Sequence, residues 1–501
     1  MADRAICIHG HFYQPPREDP WTGRVEQQIS AAPFHDWNAR ISAECYAPNT
    51  ASPILGAGDQ VIKTVNNYAA MSFNFGPTLL SWLERRRPAV YRAILEGDRL
   101  SRGRYSGHGS AIAQVYNHMI MPLAGRRDKK TQTVWGVKDF ERRFGRQPEG
   151  MWLPETAVDI ETLEVLAEAG IKFTILAPHQ AQRVREIGGG EWRDVSGGKI
   201  DPTEAYLCSL PSGRVMSLFF YDGQLALDVA FRDVLNNGEH FAGRLQRAFR
   251  DEKDRPQIVH IATDGETYGH YRAHGDMALA YCFHAIERDG LGRLTNYGEY
   301  LANHPPAREV EIVERSSWSC AHGVERWRAD CGCGSGMHPG WTQAWRKPLR
   351  EAMDWLRARL GAIYEEEARP YFRDPWEARD DYIELLLDRS ADTARRLLKR
   401  HALRKLTREE RQKVFKLMEM EKHGMLGYTS CGWFFDDISG IETVQVMRYA
   451  ARAMELAQEL RGIELEPEYV RLLESAPSNA HGDGARVYEL LVRPSRASRA
   501  G

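Results

Sequence analysis

A chain of 501 residues, with 67 Lys and Arg against 69 Asp and Glu, is long enough for roughly two to four domains. Its balanced charge argues against nucleic acid or an anionic membrane surface as partner, and its apolar runs fall short of the ~20 residues of a membrane span. Eight cysteines over this length do not suggest a disulfide framework, and the opening Met1–Ile8 has no signal-peptide profile, so a cytoplasmic protein is expected.

Residues 5–9 read as the first strand, which ends in His9-Gly10-His11-Phe12-Tyr13-Gln14-Pro15. Side chains two apart in an extended segment point the same way, so His9 and His11 share a face. Such a pair can bind a metal, hydrogen-bond a substrate, or serve as two satisfied structural histidines. Residues 17–60 are rich in Pro, Gly, Asn and aromatics without a period, and read as a long loop over a barrel mouth. A second strand at 71–75 precedes helices at 77–86 and 88–97, both opened by proline. A loop from Gly107 leads to His118–Leu123. The helix predicted over 128–144 has Val134, Val137, Phe140 and Phe144 at helical spacing.

Gly150-Met151-Trp152-Leu153-Pro154-Glu155 is a short apolar strand with a carboxylate at its end. A helix at 160–169 stops at Gly170, and a strand follows at 171–176. Residues 185–204 are Gly-rich and polar and read as a surface excursion. Strands at 206–210 and 215–220 and helices at 224–236 and 239–250 lead to the apolar strand 258–261. That strand releases Thr263-Asp264-Gly265-Glu266, then Tyr268, Gly269 and His270. A structural turn needs little beyond Asp-Gly; the carboxylates, phenol and imidazole crowded behind it point to a site. A helix at 275–288 closes the unit.

The alternation predicts an α/β fold, a distorted (β/α)7-type barrel over 1–305 with its site at the carboxyl ends of the strands. An open doubly wound sheet is the alternative, but there is no Gly-rich phosphate loop to support it. Beyond Pro305-Pro306, amphipathic helices at 341–367, 375–387, 390–401, 407–423 and 441–461 predict a mostly helical domain over 306–485, expected to contribute to the active-site cleft. Irregular inserts interrupt it at 316–333 and 428–437. Residues 486–501 are expected to fray.

Cleavage of a glycosidic bond with retention needs one carboxylate to attack the anomeric carbon and one carboxylic acid to protonate the leaving oxygen. Glu155 and Asp264, on separate strands, can supply that pair. The acid must keep its proton near neutrality, through burial or a neighbouring charge such as Glu266 or Glu155.

At these residues the sequence resembles glycoside hydrolase family 57. His9-Gly-His11-Phe-Tyr-Gln14-Pro15 is similar to the family's first motif, His118–Leu123 to the end of its second, Trp152-Leu-Pro-Glu155 to its third, and Asp264-Gly-Glu266-x-Tyr268-Gly-His270 to its fourth. The resemblance covers residues 1–300. The start of the second motif departs from the family pattern, with Gly109-Ser-Ala-Ile in its place. The helical part carries its own Trp-Ser-Cys-Ala-His-Gly and Ser-Cys-Gly-Trp-Phe-Phe signatures, as in a subgroup with a distinct C-terminal domain. The resemblance implies a (β/α)7 barrel and double displacement on α-linked glucans, by amylases, branching enzymes, glucanotransferases or α-galactosidases. Glu155 would be the nucleophile and Asp264 the acid/base. His9, His11 and His118 would hydrogen-bond sugar hydroxyls. Trp152, Tyr268 and Trp433 would stack or shape subsites or else be plain core, with core packing favoured for Trp152; Glu266 would support Asp264 or nearby backbone, and His270 completes the fourth motif. The expected partner is an oligo- or polysaccharide, with no cofactor.

Other readings stay open. A metal-dependent carbohydrate hydrolase of deacetylase or mannosidase type would use His9 and His11, although a metal mechanism has no need of a nucleophile on another strand. A carbohydrate-binding relic would keep the fold without turnover. No metal is assigned. Cys320, His322, Cys331 and Cys333 have zinc-ligand chemistry at a spacing tighter than a Cys-x-x-Cys knuckle; the alternative is a set of buried thiols, and Cys431 could join them if the two inserts meet.

Overall fold

The structure, a computed structural model, describes residues 3–251 and 254–494. The chain divides into two compact units. One comprises 1–14, 27–115 and 140–318; the other comprises 15–26, 116–139 and 319–501.

The first unit is mixed α/β. Its strands β1 (Arg4–Phe12), β2 (Ser72–Phe75), β3 (Ala113–Gln114), β4 (Met151–Trp152), β5 (Phe173–Leu176), β6 (Val215–Phe220) and β7 (Gln257–Asp264) carry the motifs. Beyond Arg4, β1 is buried throughout, as a strand with parallel neighbours on both edges should be. It pairs in parallel with β7 and with β2. A parallel bridge from Phe73 to Ala111 continues to β3, which pairs in parallel with β4. A second bridge, Gly150 to Phe173, leads to β5, and β5 pairs in parallel with β6. A Cβ on Gly150 would lie 2.3 Å from the Phe173 ring, so this crossing requires glycine. The Asp222 amide, just past β6, donates to the His260 carbonyl of β7 at 2.9 Å.

The strand predicted at 206–210 lies outside this circuit. As Ala205–Ser209 it runs antiparallel to β6 and extends the sheet through Arg308–Ile312, Ala181–Glu186 and Arg193–Asp194. Residues 185–204 are therefore partly sheet. The predicted loop 17–60 also holds structure: a helix Trp37–Ile41 capped by Asp36, and a hairpin of Ser52–Leu55 with Val61–Val65. These elements are too short to leave a period in the sequence.

The second unit is helical, built on Arg346–Ala368, Arg408–Leu426 and Ile441–Arg461, with Pro375–Asp381 and Ala391–His401 beside them. A single cut at 305/306 misses two of its pieces. Residues 116–139 belong to it, and Asp128 among them contributes to a buried ion cluster. In that cluster Arg357 and Arg379 each donate to both Asp128 and Glu421, at 2.7–2.9 Å. Residues 306–318 fall in the first unit, where Arg308–Ile312 is a sheet strand. Of the tail expected to fray, Gly484–Leu491 is helix, capped by Asp483; 495–501 lie outside the described residues. No helix among the described residues is long and apolar enough to cross a membrane.

Candidate active site

Parallel register brings the first and fourth motifs together. On β1, His11 stands opposite Asp264 on one side and Asn74 on the other, and His9 stands opposite Ala262 and Ser72. His9 engages both ring nitrogens: Nδ1 lies 3.0 Å from Ser72 Oγ and Nε2 3.0 Å from Asn74 Oδ1. Asn74 Nδ2 donates to His11 Nδ1 at 2.9 Å and to Gln114 Oε1 at 2.7 Å. Burial drives both histidine pKa values down to about 3, so both rings are neutral. An amide that donates to His11 Nδ1 leaves Nε2 as the ring position that carries the proton. Both His9 ring nitrogens are thus engaged, by Ser72 and by Asn74, so the ring turns no ready ligand atom to a metal.

Trp152 is wholly buried and stacks on both rings, with centroids 4.9 Å apart in each case. It orients the histidines and has no face to offer a sugar. Tyr268 is likewise fully buried, with Thr263 Oγ1 donating to its hydroxyl at 3.3 Å. Of the two readings for each side chain the structure has core packing, since neither ring is exposed.

Glu155 follows β4 in a left-handed backbone conformation, φ +57°, and Thr156 shares it at φ +50°. For residues other than glycine this costs on the order of 1–3 kcal/mol each and persists where surrounding bonds over-determine it. Here the Trp318 amide donates to the Glu155 carbonyl at 3.0 Å. Gln180 accepts from the Thr156 hydroxyl at 2.8 Å and donates to the Thr156 carbonyl at 2.9 Å. The Trp318 indole also donates to Glu155 Oε2 at 3.0 Å, which holds the carboxylate in one orientation. Trp318 packs edge-on against Trp152, His11 and Tyr221.

Asp264 ends β7 with its side chain open to solvent while protein crowds it from behind. Burial, then the negative charge of Glu155, raises its pKa to about 7. Glu266 is buried, and burial with the Asp264 charge raises its pKa to about 8. Its Oε1 accepts from the Tyr46 hydroxyl at 2.5 Å and the Tyr13 amide at 3.0 Å, so it ties the first motif to the fourth through backbone. Gly265 between the two acids admits no side chain, since a Cβ would meet the Phe12 ring at 2.3 Å. His270 pairs with Glu44 at 2.5 Å and lies edge-on to Trp37.

The remaining predicted residues belong to the helical unit. His118, at φ +54°, is buried, with Nδ1 2.6 Å from Ser430 Oγ, and its carbonyl accepts from the Ser430 amide at 3.0 Å. The second motif is thereby joined to the Ser-Cys-Gly-Trp-Phe-Phe insert. Trp433 is 1% exposed and stacks on Tyr428, so it too is core and not a sugar platform.

Sequence reasoning missed Ser72, Asn74, Tyr46, Gln180 and the role of Trp318. Ser72 and Asn74 were readable as two polar residues on one face of an apolar strand. Trp318 acts on a residue 163 positions away, a distance no local pattern spans.

Residues 28–313 match the family model of Glycosyl hydrolase family 57, and residues 341–500 match a Domain of unknown function (DUF3536). The chain is similar to the 4-alpha-glucanotransferase of Thermococcus litoralis, 24% identical over 264 residues that make up 50% of this chain and 36% of that protein. It is also similar to the alpha-amylase of Pyrococcus horikoshii, 23% identical over 272 residues, 52% of this chain and 39% of that protein. The matched region thus spans under half the length of these curated relatives. Among solved structures, the exo-type maltose-forming amylase of Pyrococcus sp. ST04 superposes with a TM-score of 0.70 at 15% identity, over 94% of this chain and 82% of that one.

Proposed function

The chain belongs to glycosyl hydrolase family 57, and from that premise we propose that it is a retaining glycosidase or transglycosidase acting on α-linked glucans. Glu155 attacks the anomeric carbon, and Asp264 gives its proton to the departing glycosidic oxygen. Asp264 then takes a proton from water, or from an acceptor sugar hydroxyl, as the glycosyl–Glu155 bond breaks. The observation that carries this reading is the electrostatic pairing of the two acids: the Glu155 charge helps hold Asp264 protonated near pH 7. The circuit β1–β2–β3–β4–β5–β6–β7 supports reading the α/β unit as a (β/α)7 barrel with both acids at strand ends. Neutral His11, beside Asp264 in register, suits a hydrogen bond to a sugar hydroxyl. The names of the relatives, glucanotransferase and amylase, support α-glucan as substrate class.

The test is a screen of the purified chain and its Glu155→Gln variant against α-1,4 and α-1,6 oligosaccharides, with product anomers followed by NMR. Turnover with retained configuration, lost in the folded variant, is expected. Inversion of configuration, or turnover surviving the substitution, overturns the assignment. The metal-dependent alternative predicts loss of activity with a chelator; saturation of both His9 ring nitrogens speaks against it.

A further inference from the structure

The insert after Trp318 places Cys320, His322, Cys331 and Cys333 in one cluster within the helical unit. Their ligand atoms all lie within 4.8 Å of one another. Cys320 Sγ is 3.9 Å from Cys331 Sγ and 3.9 Å from Cys333 Sγ, and Cys333 Sγ is 3.7 Å from His322 Nδ1. These three separations match edges of a coordination tetrahedron: Zn–S bonds of ~2.3 Å and Zn–N bonds of ~2.0–2.1 Å give edges of about 3.8 Å between sulfurs and about 3.6 Å between sulfur and nitrogen. A disulfide would bring two sulfurs to ~2.05 Å, yet all three cysteines are free.

The backbone is shaped for this convergence. The Gly323 amide closes a turn onto the Cys320 carbonyl at 3.1 Å, which folds His322 back beside Cys320. Gly332, at φ +77°, turns the chain between Cys331 and Cys333 in a conformation that favours glycine. The two arms are clamped by one buried guanidinium. Arg326 donates to the carbonyls of Ser319 and Phe434 at 3.0 Å and of Gly334 at 3.5 Å, and stacks over the Phe434 ring. The Ser335 amide adds a bond to Asp436 at 2.6 Å. A held cluster of three soft thiols and an imidazole, in a stretch whose regular structure is one short turn at Glu325–Trp327, is the setting in which a metal replaces a hydrophobic core.

We propose that Cys320, His322, Cys331 and Cys333 bind one structural zinc ion that closes the insert. Three thiolates and a neutral imidazole fill all four positions, so the ion is stabilising and takes no part in the reaction at Glu155 and Asp264. Binding releases the thiol protons, and no redox change occurs. Cys431 is not one of the four donors.

The test uses the full chain, purified without chelator or metal-affinity steps. Elemental analysis should give about one zinc per chain, falling close to zero in Cys333→Ser. Exchange into cobalt(II) should give the thiolate-to-metal charge-transfer and intense ligand-field bands of a tetrahedral site. Should Cys333→Ser fail to fold, His322→Ala, at the exposed ligand, should fold and lose zinc to a chelator that leaves the wild type loaded. Wild-type protein that is zinc-free, gives no cobalt spectrum, or holds two of these cysteines as a disulfide overturns the proposal, as does stoichiometric iron. Activity loss from Glu155→Gln leaves the zinc content unchanged, so the two proposals fail separately.

Discussion

The two units surround their carboxylates with opposite electrostatics. In the helical unit, Asp128 and Glu421 face two arginines, Arg357 and Arg379, with the hydrogen bonds closed into a ring. Burial opposes ionisation of Asp128, but the guanidiniums win and hold its pKa well below the usual carboxylate range. In the α/β unit, the pKa values of Asp264 and Glu266 are raised by burial and by neighbouring carboxylates. The same residue types therefore lock one unit together and, in the other, keep their protons near neutral pH. What separates them is whether the fold delivers cations to the acids or other acids.

That contrast is open to direct attack. The largest effect should come from Asp264→Asn, which removes the proposed proton donor and should lower kcat/KM by ~10²–10⁴-fold. In the wild type, kcat/KM should fall as pH rises through about 7, because the proposed role of Asp264 requires its protonated form. A profile flat from pH 6 to 9 with chemistry rate-limiting would break this assignment.

Next in size, Glu421→Ala should destabilise the chain by ~3–5 kcal/mol by leaving the two guanidiniums of Arg357 and Arg379 to share the single carboxylate of Asp128, read as a lower denaturation midpoint. Joint replacement of Arg379 and Glu421 by apolar residues should recover much of that loss. A double variant no better than Glu421→Ala would mean the cluster acts through packing. Acid should act in the same direction: stability held by the depressed pKa of Asp128 is present above its unfolded value and lost as pH falls toward the folded one.

A smaller effect is expected of Trp318→Phe. It keeps an aromatic ring but deletes the indole bond to Glu155, worth ~1.5–3 kcal/mol for a charged acceptor, or about 10- to 150-fold in kcat. An unchanged kcat would show that the left-handed backbone alone orients Glu155. The smallest effect has the opposite sign. The folded-state pKa of Asp264 lies above its unfolded value, so ionisation penalises the fold progressively from pH ~4 to about 7. Asp264→Asn should therefore raise the melting temperature at pH 8 and leave it nearly unchanged at pH 4. Equal shifts at both values would count against a strained acid.

Much of this was legible in the order of residues. An apolar strand followed by Trp-Leu-Pro-Glu or Thr-Asp-Gly-Glu announces which carboxylates leave strand ends, because burial on both faces forces apolar runs and exposed ends are where polar side chains can project. Helix starts were set by Pro77 and Pro88. The aromatic roles were not legible. Trp152, Tyr268 and Trp433 look alike as core residues and as sugar platforms, and only enclosure by neighbours separates the two.

The amino-acid order by itself determined the strand-and-helix alternation and the two acids, since these depend on neighbours a few positions apart. Tertiary structure alone decided that Trp318 holds Glu155, that Asn74 fixes the proton on His11, that residues 116–139 join the helical unit, and that four donors on two loop arms converge. The reason is physical: a pKa, a hydrogen bond and a coordination sphere are sums over nearest groups in space, and most of those groups are remote in the chain.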